Sequence, residues 1–79
     1  MPRKTKPLEI LPRRLRIAMA TRGMTSADLM RASGLGCGQI SEYLNGHREP
    51  GALRIAILAK TLSVSADFLL GLTDKIEVK

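Results

Sequence analysis

Between Ser33 and Pro50 the chain reads SGLGCGQISEYLNGHREP, a stretch dense in hydrogen-bonding groups and poor in apolar bulk. Cys37 supplies a thiol, Gln39 an amide, Ser41 a hydroxyl and Glu42 a carboxylate. Asn45, His47 and Arg48 follow at once and add an amide, an imidazole and a guanidinium. These types can do three kinds of chemistry: nucleophilic catalysis, metal binding, or recognition by hydrogen bonds. Catalysis lacks a basis, since the thiol has no positioned base and the glycines fall at helix ends rather than in a phosphate-cradling loop. Metal-ligand spacing is also missing. Cys37 sits where a helix begins, a setting that suits a redox-sensitive thiol, but a small neutral filler is the simpler reading.

Recognition fits better. On a helical wheel Ile40, Tyr43 and Leu44 gather on one side as core anchors. The opposite side carries Gly38, Glu42 and Asn45, flanked by Cys37, Gln39 and Ser41. A helix this thin on its outer face lets something large come close. The bulk properties point to the same kind of partner. The 79 residues carry a formal net charge of +6, and an excess of Lys and Arg in a small domain favours a polyanion, nucleic acid first and an acidic membrane second. A chain of this length buries only about 60–65% of its unfolded surface, which leaves one small core and no deep cleft.

Elements must hold that face in place. Hydrophobic residues make up 44% of the chain and aromatics 3%, so the core is Leu, Ile, Ala and Met packed between helices, an all-α fold. Leu11, Leu15, Ala18 and Met19 have helical spacing and define a first helix over residues 11–22, with Gly23 after its end. Thr25 caps a second helix with Asp28 three residues on, close to a capping box, and Gly34 stops it. Only Gly34, Leu35 and Gly36 separate it from the third helix, over residues 37–45. Two helices so joined cross steeply, as in a helix-turn-helix. Pro50 and Gly51 open a fourth, with Ala52, Ile55, Ala56, Ala59 and Leu62 on one face. Ser65 caps a fifth, which Gly71 ends. Residues 1–9 read as a basic arm carrying Arg3, Lys4 and Lys6, residues 10–72 as the folded domain, and residues 73–79 as a tail. No apolar run suits a signal peptide or a membrane span, and a lone cysteine fits a reducing cytoplasm.

Thr25, Leu29, Gly34, Ile40, Ser41, Asn45-Gly46, Pro50 and the turn Val64-Ser65-Ala66-Asp67 together resemble the Cro and lambda-repressor-like helix-turn-helix regulators. The likeness covers about residues 10–72. It implies a five-helix DNA-binding domain whose third helix enters the major groove of operator DNA, acting as a two-fold dimer, in the cytoplasm at the nucleoid. It assigns base contacts to Cys37, Gly38, Gln39, Ser41 and Glu42, and phosphate contacts to Arg14, Thr25, Ser26, Asn45, His47 and Arg48. The arm residues Arg3, Lys4 and Lys6 could enter a minor groove, as N-terminal arms do in several DNA-binding folds, but a disordered tail is the simpler reading. Four positions depart from the pattern: Ser26 stands where a longer Gln is common, Met30 where a small Ala is usual, and Met19 and Leu44 where many members have an Arg–Glu pair. The last departure predicts an apolar contact between Met19 and Leu44.

The fifth helix is rich in apolar residues for a chain end, which makes Phe68, Leu69 and Leu72 the expected dimer interface. The function expected is a sequence-specific regulator of transcription, a repressor acting by occlusion, with no cofactor. The alternative is a protein-interaction module, such as the antitoxin of a toxin pair, that uses the same fold to hold a protein partner.

Overall fold

A computed structural model describes residues 7–77, and within them the chain forms five helices and no strand. They are α1 (Pro7–Arg22), α2 (Ser26–Ser33), α3 (Cys37–Leu44), α4 (Ala52–Leu62) and α5 (Ala66–Leu70). The all-α expectation and the helix order hold. The first helix starts at Pro7, four residues before the expected Leu11. Pro12 invites the later start, because proline fits the first turn of a helix. Here Pro7 fills that role and the helix runs on through Pro12. Residues 7–9 of the expected arm are therefore helical, while Arg3, Lys4 and Lys6 lie outside the described residues.

The core draws on every helix. Leu11, Leu15, Ala18 and Met19 from α1 meet Leu29 from α2, Ile40, Tyr43 and Leu44 from α3, and Ile55, Leu58 and Leu62 from α4. Phe68 and Leu69 from α5 close it. Met19 and Leu44 share this cluster and line the same surface cleft, in accord with the expected apolar pairing. On α4 the buried face is Ile55, Leu58, Ala59 and Leu62, whereas Ala52 and Ala56 are exposed. Relative to the expected stripe, the buried face is rotated toward Leu58 and away from Ala52 and Ala56.

Helix ends follow the capping residues. Thr25 accepts from the Asp28 N–H at 3.1 Å and donates its own N–H to Asp28 Oδ2 at 3.0 Å, a full capping box. Ser65 caps α5 through the Phe68 N–H. Ser63, at φ 54°, is the one described non-glycine residue in the left-handed region. A side chain there costs about 1–2 kcal/mol. Arg22 from α1 offsets part of that, donating to Leu62 O at 2.8 Å and Ser63 O at 2.7 Å.

The C-terminal segment is docked. Arg14 of α1 donates to Thr73 O at 2.9 Å and pairs with Asp74 at 3.0 Å, with its guanidinium 4.4 Å from the Phe68 ring centroid. The Ser65 N–H donates to Ile76 O at 2.8 Å, and Ile76 packs against the core. The expected tail is thus docked on the fold as far as Ile76.

Candidate nucleic-acid interface

The surface formed by the start of α2, the outer face of α3 and the turn after it contains most of the expected contact residues. Its base is rigid because Leu29, Ile40 and Tyr43 are fully buried beneath it. Cys37, Gly38, Ser41 and Asn45 are exposed on α3 and at its end. Ser26, at the first position of α2, shares a shallow depression with Cys37, Ser41, Leu44, Asn45 and Arg16. The short side chains leave room for a duplex to seat against the helix.

Internal bonds modify several expected roles. Thr25 spends its N–H on Asp28 Oδ2 and accepts the Asp28 N–H at its hydroxyl oxygen, so the N–H is not free for a phosphate. That N–H bond holds the Asp28 carboxyl below the usual carboxylate range, with the Thr25 hydroxyl and the Arg31 guanidinium acting in the same direction. Gln39 turns its Oε1 back to the Gly36 N–H at 3.0 Å and caps its own helix. A two-point contact with adenine uses the same oxygen, so it competes with this cap. Glu42 pairs with Arg48 at 3.2 Å. The pairing follows from the turn, where the N–H groups of His47 and Arg48 both reach Glu42 O at 2.9 and 3.4 Å and bring the arginine back over α3. Glu42 therefore meets an approaching phosphate already neutralised.

Two expectations are corrected. Arg14 does not face this surface; it is committed to Thr73, Asp74 and Phe68 on the other side of α1, since its neighbour Leu15 points into the core and turns it toward α5. Phe68 and Leu69 are not available to a partner either, being 5% and 0% exposed. The small core uses them itself. What α5 leaves outside is Leu70 and, beyond its end, Leu72 at 73% exposure. Leu70 borders an apolar depression with Leu11, Pro50, Ile55 and Leu69.

Arg16 belongs to the surface and was not anticipated. Its Nη2 donates to Leu44 O at 3.0 Å and to Asn45 Oδ1 at 3.4 Å, closing the C-terminal end of α3 from α1. The signal was present in the spacing: Arg16 stands one turn before Met19 on the side of α1 that packs on α3. Among the described residues no group of His, Cys, Asp and Glu side chains could hold a metal, and no helix is long and apolar enough to cross a membrane.

A steep helix pair with an open polar face and a basic turn defines a DNA-binding module, and the relatives agree. The Cro/C1-type helix-turn-helix DNA-binding domain matches residues 14–75, and the chain belongs to this family. Its fold is similar to the crystal structure of the clp gene regulator ClgR from C. glutamicum, at a TM-score of 0.77 and 28% identity over 87% of this chain and 90% of that one. No curated protein matches the sequence. Family and fold are those of DNA-binding regulators of transcription, not of enzymes.

Proposed function

We propose that this DNA-binding regulator acts as a repressor, seating α3 in the major groove of an operator as a two-fold dimer and excluding other proteins from the promoter by occupancy. The observation that carries the reading is the exposed small-residue face of Cys37, Gly38 and Ser41 beside Arg16, Asn45 and the His47-Arg48 turn. Base discrimination rests on Ser41, on Glu42 once Arg48 moves to a phosphate, and on Gln39 where its cap opens. Phosphates are held by Ser26, Asn45, His47 and Arg48. With about four to six phosphates neutralised per monomer, log K falls against log salt with a slope near −0.9 per contact. The dimer uses Leu70 and Leu72, and it spaces two copies of α3 about 34 Å apart. Likeness to a gene regulator supports the regulatory role.

Selection of binding sites from a random duplex pool, at low and physiological salt, tests the reading. The expected result is a palindromic consensus that Glu42→Ala relaxes at one base pair. Retention without any enriched sequence would instead support a module that binds a protein partner. The lack of Lys and Arg between Cys37 and Gly46, together with exposed Leu53 and Leu72, favours that second reading. Co-purification of a distinct protein, lost with Leu72→Lys, separates the two.

A further inference from the structure

Arg16, Asn45 and Ser41 form a chain of hydrogen bonds that ends on the groove-facing side of α3. The Arg16 guanidinium has only donors, so the Asn45 group it touches is the amide oxygen, Oδ1, at 3.4 Å. The opposite amide orientation would set N–H against N–H. With its oxygen turned to Arg16, Asn45 presents Nδ2 to Ser41 Oγ, 3.3 Å away. Ser41 Oγ thereby accepts, and its own hydrogen is left to be donated. Among the described residues that hydroxyl donates to none, and Ser41 is exposed.

We infer that Arg16 is a positioning residue that biases the hydrogen-bond polarity of Ser41, whose second lone pair stays open, so that α3 favours donating to an acceptor edge in the major groove. Guanine N7 and O6 and thymine O4 are such acceptors, whereas cytosine shows a donor, N4–H₂. A helix with no Lys or Arg of its own thus obtains a directed donor from a cation on α1, one that lines the same depression and is itself anchored on Leu44 O. The inference rests on the DNA-reading function proposed above.

The test repeats the binding-site selection with Ser41→Ala, Arg16→Met and Asn45→Asp. For the unaltered protein, one base pair per half-site favours guanine or thymine over cytosine by about fivefold, the effect of one hydrogen bond. Ser41→Ala abolishes that preference. Arg16→Met abolishes it too, with discrimination at the other positions and the salt slope unchanged. Asn45→Asp keeps the Arg16 contact but turns the relay around, because a carboxylate accepts from Ser41; the preference then shifts to cytosine. Asn45→Asp also covers the case in which Arg16→Met fails to fold, which circular dichroism reports. An Arg16→Met variant that keeps the preference overturns the relay, and a slope reduced by about one unit in that variant identifies Arg16 as a phosphate contact instead. A silent Ser41→Ala sinks the relay while leaving the sequence-reading function intact. No enriched sequence for the unaltered protein removes both.

Discussion

Arg14 and Arg48 each pair with one carboxylate, yet they do opposite work. Arg14 lies in the seam between α1, α5 and the C-terminal segment, where its side chain is 22% exposed and covers Phe68. Arg48 lies over α3 with its side chain 65% exposed, against a Glu42 that is 44% exposed. The Arg14 guanidinium, packed on an aromatic ring and a backbone carbonyl, is part of the structure even though its partner Asp74 is 98% exposed. An open pair costs little to break and can trade partners when a phosphate arrives. The molecule thus divides into a seam whose charges are spent inward and a face whose charges are held in reserve.

Gly71→Ala is the strongest way to break the seam. Gly71 has φ +80°, and a Cβ there would stand 2.8 Å from Ile10 Cγ2. Left-handed strain and the clash together cost about 2–4 kcal/mol, read as a lowered denaturant midpoint. DNA affinity of the folded fraction should be unchanged. Arg14→Ala follows, with a loss of about 1–3 kcal/mol from its charged hydrogen bonds and ring contact. Thermal melting checks it, and a weaker salt dependence of DNA binding in this variant would return Arg14 to the interface.

Arg48→Ala acts on the face instead. Stability should stay within about 0.5 kcal/mol, while affinity drops about tenfold at low salt and the salt slope falls by about 0.9. A stability loss as large as that of Arg14→Ala would erase the distinction between the two regions. The smallest effect is acid dependence at α2. The lowered Asp28 pKa means that the folded state favours the carboxylate, so this stabilisation is complete above the ordinary value of 3.8 and is lost as pH falls through the lower folded value. In urea melts, the advantage of the parent over Asp28→Asn should shrink below that pH, with no change near neutrality.

The local signals were legible: Thr25 with Asp28, Gly34, Ser65 and Gly71 each mark a helix end through short-range backbone chemistry, and the structure places them there. The hydrophobic spacing also located the core, apart from the alanines of α4. The destinations of the arginines were not legible. Spacing tells which side of a helix a charge occupies, but Arg14 and Arg22 find partners 59 and 41 residues away, and those distances in sequence carry no local signature. The same limit applies to Phe68 and Leu69. Their apolar character was plain, but whether the core or a second copy takes them depends on how much room α1 and α4 leave. In the candidate site, residue types on α3 could be read directly; the Gln39 cap and the Glu42–Arg48 pair could not, because each arises from how a flexible side chain folds back on its own turn.

The reach of α1 has a consequence for how the protein is made. Its arginines find their partners in a fixed order as the chain lengthens: Arg16 at Leu44, then Arg22 at Leu62 and Ser63, and last Arg14 at Thr73 and Asp74. A single helix of sixteen residues draws most of its stability in a protein from packing against its neighbours. At about 5–20 residues per second, the ribosome supplies the last of those partners a second or more after the first. The partners of the seam therefore leave the ribosome after those at the α3 end, and for that interval the apolar side of α1 is without Phe68 and Leu69 to cover it.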